Sequence, residues 1–127
     1  VSDINIKKLF EFHNSHKKLA TVSGVIPSAR FGALNLGENN VVKNFIEKPA
    51  NEGGYINGGY FVLSPKVLDF IDDDSTIFEK QPLENLAKKN QLMAYLHNGF
   101  WQPMDNVRDH LYLSSLWNEN TAPWKIW

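Results

Sequence analysis

The 127-residue sequence contains no cysteine, which excludes disulfide bonds and thiolate metal sites. It also lacks any apolar run approaching the roughly 20 residues that span a bilayer, and no signal peptide or lipidation motif is visible. We therefore expect a cytoplasmic protein that has no membrane partner.

The sequence also has no large excess of charge of either sign. The chain has 13 Lys and Arg residues against 14 Asp and Glu residues, for a formal net charge of -1, and its basic residues are scattered rather than gathered in a stripe. Because nucleic acid phosphates bind to clustered positive charge, nucleic acid is not an expected partner.

Apolar residues are plentiful. They make up 43% of the chain, and aromatic residues make up 13%, which predicts one compact domain with a sizeable core.

The sequence opens on Val1 rather than Met, and a helical pattern follows without a preceding strand. Since an α/β domain normally opens with a strand, we expect residues 1–127 to be a single partial domain with further sequence upstream.

Hydrophobic spacing and turn residues predict a mixed sheet with helices. Helices are expected over residues 3–17 and 79–90, from Pro65 for a short stretch, and from Asp105 through Trp117; strands are expected over 19–26, 55–63 and 92–96, with a hairpin formed by 33–36 and 41–46. Two tryptophans, Trp124 and Trp127, follow the last helix. We expect them to pack on the domain or to contact another subunit.

Polar residues near the helix starts suggest caps. Ser2 or Asp3 is expected to cap the first helix, and Ser64 the short one, because their side-chain oxygens can accept a free backbone N–H. His13 and His16 are three positions apart in the first helix. With no third ligand nearby in sequence, a half-exposed helix surface is expected there rather than a metal site.

A Glu-Lys-Pro step follows the strand that contains Phe45. Pro49 ends this strand because proline has no N–H to donate, so Glu47 and Lys48 project from the strand end. The Gly58-Gly59 step in the next strand lets a ligand approach the backbone closely, since glycine has no Cβ. An anionic ligand fits this region, and so does a solvated surface turn.

Two other stretches with candidate functional residues also follow the end of a strand. Arg30 and Gly32 follow the strand that Pro27 ends, where a binding loop and a solvated loop are both possible. Asp105 follows the aromatic run that contains Trp101. Its carboxylate could cap the following helix or hold a divalent cation, and the two roles are compatible.

These stretches together resemble the sugar-1-phosphate nucleotidyltransferases. The residues that match in order and spacing are Arg30 to Gly32, Phe45 to Pro49, Ile56 to Gly59 and Gly99 to Asp105, and the cytidylyl branch is indicated by Trp101 to Asp105 with Ala122 to Lys125. The resemblance covers nearly the whole chain. It implies a mixed-sheet, Rossmann-like nucleotidyltransferase α/β fold, of which this chain would be the C-terminal, sugar-binding half.

The resemblance also implies a reaction. The complete enzyme would join glucose 1-phosphate and CTP into CDP-glucose and pyrophosphate, with Mg²⁺ as cofactor, as a homo-oligomer that serves nucleotide-sugar and O-antigen lipopolysaccharide biosynthesis. The implied roles are sugar hydroxyl binding by Glu47, neutralisation of the sugar phosphate by Lys48, lining of the sugar pocket by Gly32, Asn57 and Gly58, shaping of the pocket by Trp101, and Mg²⁺ binding by Asp105.

Some features of the family are missing from this sequence. The glycine-rich loop that ends in Arg, the later Lys, and a Gly-Asp-Gly motif with the second metal aspartate would precede Val1. We therefore expect the chain to be inactive by itself. Two alternatives remain open: a sister enzyme that uses UTP or dTTP, since the absent half would read the base, and a non-catalytic module for sugar-phosphate binding or assembly.

Overall fold

The computed structural model describes residues 1–27, 33–36, 42–46 and 54–127. Its elements in chain order are α1 (Ile6–His16), β1 (Ala20–Val25), β2 (Ala33–Leu36), β3 (Val42–Ile46), β4 (Ile56–Leu63), a 3₁₀ helix (Pro65–Phe70), α2 (Gln81–Lys88), β5 (Leu92–His97) and α3 (Val107–Asn118). Of the helices in these ranges, none is both long enough and apolar enough to cross a bilayer.

β1 is the central strand of a three-stranded sheet with the order β4-β1-β5. It runs antiparallel to β4 and parallel to β5, which confirms the predicted mixed sheet. Val25 at the end of β1 lies opposite Ile56 and beside His97. This register brings the beginning of β4 and the end of β5 to the same end of the sheet, where β1 ends.

The predicted hairpin is also confirmed. β2 and β3 pair antiparallel in a separate two-stranded sheet, in which Ala33 lies opposite Ile46. β3 ends at Ile46, directly before Glu47, as expected for the strand that precedes the Glu-Lys-Pro step.

Helix α1 begins later than predicted. Its N-cap is Asn5, whose Oδ1 accepts the Lys8 N–H at 2.9 Å, so the prediction of Ser2 or Asp3 as the cap is wrong. Both of those residues lie instead on the stretch that pairs with residues 100–102, where Ser2 forms an antiparallel bridge with Trp101. Tertiary pairing of the first residues therefore displaces the helix start to the next residue that can cap it.

The short helix after β4 is a 3₁₀ helix, and Ser64 does not cap it with its side chain. A 3₁₀ helix has three residues per turn, so side chains three apart share a face. Val67 is accordingly buried and Phe70 packs against the core, whereas Leu68 and Ile71 are exposed.

The main apolar cluster lies between the beginning of β1, the 3₁₀ helix and α2. Its buried centre is formed by Ala20, Val67 and Leu86, and the partly buried side chains packed around it are Leu19, Phe70, Phe78, Leu83 and Leu92. Leu83 and Leu86 face this core because they lie one helical turn apart on α2, as their spacing predicts.

The two C-terminal tryptophans have different surroundings. Trp124 is half-buried, and its ring centroid lies 5.5 Å from that of Phe100, so it packs on the domain. Trp127 is 82% exposed and remains available to a partner surface.

Two histidines connect α1 to the sheet. His13 is buried, with Nδ1 2.9 Å from the Thr21 Oγ1 and Nε2 3.2 Å from the Ser64 Oγ. His16 Nε2 lies 2.7 Å from the same Thr21 oxygen. The prediction of a half-exposed histidine surface is therefore wrong for His13, because β1 and Ser64 supply partners for both of its ring nitrogens.

The hydrogen bonds of this histidine pair determine its tautomers. The Lys18 backbone N–H donates to His16 Nδ1 at 3.0 Å, so neutral His16 carries its proton on Nε2 and donates it to Thr21. The Thr21 hydroxyl then donates to His13 Nδ1, and His13 Nε2–H donates to Ser64. Every group is satisfied with both rings neutral, and a proton added to His16 Nδ1 would face the Lys18 N–H, which is also a donor.

This arrangement predicts a loss of stability in mild acid. Burial, followed by the nearby His13 and Lys18, lowers the pKa of His16 from its usual 6.5. The unfolded state therefore binds the proton more readily, and the contribution of His16 to stability is complete above pH 6.5 and is lost as the pH falls through the folded-state pKa. We expect the free energy of unfolding of the full-length protein in urea to fall as the pH is lowered through 6.5.

The matched variants for this prediction are His16→Gln and His110→Gln. The amide of glutamine can still donate to Thr21 but does not titrate, so His16→Gln should flatten the pH dependence, whereas substitution of the exposed His110 on α3 should not change it. Equal slopes in the two variants would contradict the prediction.

Candidate functional site

Two of the predicted motifs meet at the end of the sheet where β4 begins. The Trp101 Nε1–H, in the segment after β5, donates to the Gly58 carbonyl oxygen at 2.9 Å, across 43 residues of sequence. Trp101 is half-buried and Gly58 is buried. The contact holds the backbone of the Gly58-Gly59 step, and the pocket-shaping role of Trp101 stays a prediction.

Gly58 has no room for a side chain. A Cβ at this position would lie 2.6 Å from the Ser23 Oγ and 2.7 Å from the Val25 Cγ1 on β1. Gly59 has a different requirement, since its φ of +81° is in the left-handed region that favours glycine and a Cβ there would meet nothing. Both glycines of the motif are therefore explained by the fold of β4 against β1.

Asn57 is exposed at the same strand end, and its amide is held in one orientation. Its Oδ1 accepts the Gly59 N–H at 2.8 Å, and its Nδ2 donates to the Glu79 Oε1 at 2.9 Å. The sequence did not indicate Glu79 as a site residue, because it lies 22 positions away at the start of a predicted helix. Asn57 and Glu79 together present an amide and a carboxylate of the kind that bind hydroxyl groups.

Asp105 is exposed directly before α3, and it is not the N-cap. The cap is Asn106, whose Oδ1 accepts the Asp109 N–H at 2.9 Å, so the capping role considered for Asp105 is wrong. Within the described ranges, the Asp105 carboxylate has no hydrogen-bond or ion-pair partner. The carboxylate is therefore left available by the local fold, because the next residue along the chain takes the capping position.

Asp109 holds the segment that leads to Asp105. Its carboxylate is buried and accepts hydrogen bonds from Gln102 Nε2 at 3.2 Å, Asn106 Nδ2 at 2.9 Å and the Asp105 backbone N–H at 3.4 Å. Sequence reasoning missed this residue. The available signal was an acidic residue three positions after a cap-competent Asn106, a spacing typical of reciprocal capping.

The remaining predicted site residues cannot be related to this geometry. Gly32, Glu47 and Lys48 lie outside the described residues, as does Arg30, so their roles stay predictions. In the part of the chain that is described, no group of three or more His, Cys, Asp or Glu side chains is gathered for a metal ion.

Comparison with known proteins identifies the family. The sequence profile of the nucleotidyl transferase family matches residues 1–118. The glucose-1-phosphate cytidylyltransferase of Salmonella typhi is 50% identical over 127 residues, which are 100% of this chain and 49% of that protein. A mannose-1-phosphate guanylyltransferase catalytic subunit beta of Drosophila melanogaster is 35% identical over 124 residues, which are 91% of this chain and 34% of that protein.

A solved structure has a similar fold. A Bacillus anthracis crystal structure described as a glucose-1-phosphate thymidylyltransferase aligns with a TM-score of 0.60 at 18% identity and covers 91% of this chain and 50% of that one. At this identity the likeness concerns the α/β fold alone. The chain spans about half the length of the curated cytidylyltransferase it matches, and the prediction that this is the C-terminal half is not supported. The chain belongs to the nucleotidyl transferase family.

Proposed function

We propose that the full-length protein is a glucose-1-phosphate cytidylyltransferase and that this chain contributes its sugar-phosphate-binding part. The observation that carries the proposal is the 50% identity to the Salmonella typhi enzyme over all 127 residues. A phosphate oxygen of glucose 1-phosphate would form a bond to the α-phosphorus of CTP, and the bond between that phosphorus and the pyrophosphate leaving group would break. The products are CDP-glucose and pyrophosphate.

Both reactants are anions, so the protein has to neutralise charge and align the two phosphates. In our proposal Lys48 neutralises the phosphate of the sugar, and Glu47 accepts hydrogen bonds from its hydroxyl groups. Gly32, Asn57 and Gly58 line the sugar pocket. The held amide of Asn57 and the braced carbonyl of Gly58 support this assignment, because both groups keep a defined orientation before substrate arrives.

Asp105 is our candidate for Mg²⁺ binding. An exposed carboxylate without a partner in the described ranges fits a hard cation that prefers oxygen ligands, whereas the Asp109 carboxylate is occupied by three donors. Bound Mg²⁺ would supply neutralisation of the charge on the triphosphate. Since no group of three or more potential ligands is gathered among the described residues, further ligands would come from the rest of the protein and the substrate.

Homo-oligomer formation and a cytoplasmic location are further parts of the proposal, as is a role in O-antigen nucleotide-sugar biosynthesis. Large apolar side chains are exposed on α3 and at the C-terminus, and they include Leu111 at 63%, Ile126 at 67% and Trp127 at 82% exposure. Exposed apolar surface of this kind supports subunit contacts there.

The test is an assay of the full-length protein with glucose 1-phosphate and each of CTP, UTP, dTTP and GTP, combined with calorimetric titration of glucose 1-phosphate. We expect turnover with CTP. Preference for UTP or dTTP would indicate a related enzyme that uses another nucleotide. Sugar-phosphate binding without turnover of any triphosphate would favour the non-catalytic alternative.

Lys48→Ala is the informative variant in the titration. Loss of a charge-assisted contact of about 1.5–3 kcal/mol should weaken glucose 1-phosphate binding roughly 10- to 100-fold. Lys66→Ala, which removes an exposed lysine on the 3₁₀ helix, is the matched control and should bind like the parent. Equal affinities of the two variants would remove Lys48 from the site.

A further inference from the structure

His97 and Asp3 form a pair beside the candidate site, and neither residue has a role in the function proposed above. His97, the last residue of β5, places Nε2 2.8 Å from the Asp3 Oδ1. The side chains are only 12% and 30% exposed, so the pair is largely shielded from solvent. Such shielding strengthens a hydrogen bond between a ring N–H and a carboxylate.

The surrounding acceptors show which nitrogen of His97 carries the proton. Nε2 also lies 3.3 Å from the Phe100 carbonyl oxygen and 3.2 Å from the Ser2 Oγ. The Ser2 hydroxyl donates its proton to the Phe100 carbonyl at 2.8 Å. A carboxylate and a carbonyl can only accept, so Nε2 is protonated and donates to Asp3.

The turn after β5 closes tightly over this pair. A Cβ on Gly99 would lie 2.5 Å from the Asp3 Oδ1 and 2.7 Å from the His97 Cε1. The glycine recognised in the sequence motif is therefore required by the close approach of the backbone to Asp3 and His97.

Backbone hydrogen bonds join the same two lengths of chain beside this pair. The Asp3 N–H donates to the Phe100 carbonyl at 3.2 Å, and the Gln102 N–H donates to the Val1 carbonyl at 2.9 Å. Between these two bonds lies Trp101, whose indole holds the Gly58 carbonyl. The segment from Gly99 to Asp105 is thus anchored by Asp3 and His97 at its beginning and by Asp109 at its end.

We propose that Asp3 and His97 are positioning residues that hold the segment from Gly99 to Asp105, so that Trp101 fixes the Gly58 carbonyl and Asp105 is presented to the metal. The proposal rests on the proposed function. Neither side chain needs to touch substrate. Their effect is transmitted through the backbone that they anchor.

The test compares His97→Leu with His97→Gln in the full-length protein. The glutamine amide can place an N–H near the position of the ring Nε2, whereas leucine cannot donate. His110→Leu, on the exposed surface of α3, is the matched control. The readouts are the Trp101 indole N–H resonance by NMR, assigned with Trp101→Phe, and the KM values for glucose 1-phosphate and CTP.

We expect His97→Leu to move the Trp101 indole resonance upfield, as its bond to Gly58 weakens, and to raise the KM for glucose 1-phosphate about tenfold. His97→Gln should return the indole resonance to near its parent position, because the donor is restored. It should also return the KM for glucose 1-phosphate to within about twofold of the parent value. Where His97→Leu does not fold, Asp3→Asn should give a smaller change in the same direction, because it removes the charge from the hydrogen bond.

An unchanged indole resonance in His97→Leu would overturn the proposal. So would a moved resonance with unchanged glucose 1-phosphate kinetics in an active enzyme. Failure of the proposed function can be distinguished from failure of this proposal. Even in a parent protein that turns over no sugar phosphate, the indole resonance shows whether Asp3 and His97 position Trp101.

Discussion

Replacing Asp105 by asparagine in the full-length protein is expected to lower kcat by about 100-fold or more at saturating substrates, because in our proposal Asp105 binds Mg²⁺ and an amide binds Mg²⁺ much more weakly than a carboxylate. The loss should be partly recovered at high Mg²⁺ concentration. Initial rates of CDP-glucose formation over a Mg²⁺ series measure both effects.

The local structure makes this variant easy to interpret. The helix cap is Asn106 rather than Asp105, and the Asp105 side chain is exposed, so Asp105→Asn should leave the unfolding midpoint unchanged. Asn106→Ala is the complementary variant, expected to cost about 1 kcal/mol of stability through loss of the cap. Asp72→Asn, at an exposed loop position, is the control for activity. Parent-like kcat in Asp105→Asn would withdraw the metal role.

Replacing Gly58 by alanine is expected to lower the free energy of unfolding by about 1–3 kcal/mol, because the added methyl group would overlap β1 at two places. The overlapping atoms are the Ser23 Oγ at 2.6 Å and the Val25 Cγ1 at 2.7 Å. Ser23 also accepts the Tyr60 N–H, so its side chain cannot move away without losing that bond. Urea denaturation of the full-length protein measures the loss.

Gly59→Ala separates crowding from backbone strain. Gly59 has a positive φ and open space around its Cβ position, so its substitution should cost only the strain of the left-handed conformation, about 1 kcal/mol. The cost of Gly58→Ala should also shrink in a Ser23→Ala background, where one of the two overlaps is absent. A Gly58→Ala variant as stable as the parent would show that β4 does not pack on β1 as described.

Much of the backbone could be predicted from the sequence. The alternation of Leu92 to Leu96 and the apolar run ended by Pro27 predicted β5 and β1, and the turn between 33–36 and 41–46 predicted the hairpin. These features depend on residues close together in the chain, where side-chain periodicity and proline geometry act directly.

Helix caps were predicted less well. Asn5 rather than Ser2 or Asp3 caps α1, and Asn106 rather than Asp105 caps α3. In both places several neighbouring residues can cap, and contacts with distant parts of the chain select among them. Ser2 and Asp3 pair with residues 100–102 and with His97, and this pairing is not encoded in the residues next to the helix.

The sequence by itself determined the family, most of the strands and helices, and the set of residues that the proposed chemistry uses. Only the tertiary structure decided which polar groups meet: Trp101 with Gly58, Asn57 with Glu79, and His97 with Asp3 across 94 residues. The physical reason is that these contacts depend on the register of β1 with β4 and β5. That register is set by packing of the whole sheet, whereas each element is favoured by its own local pattern.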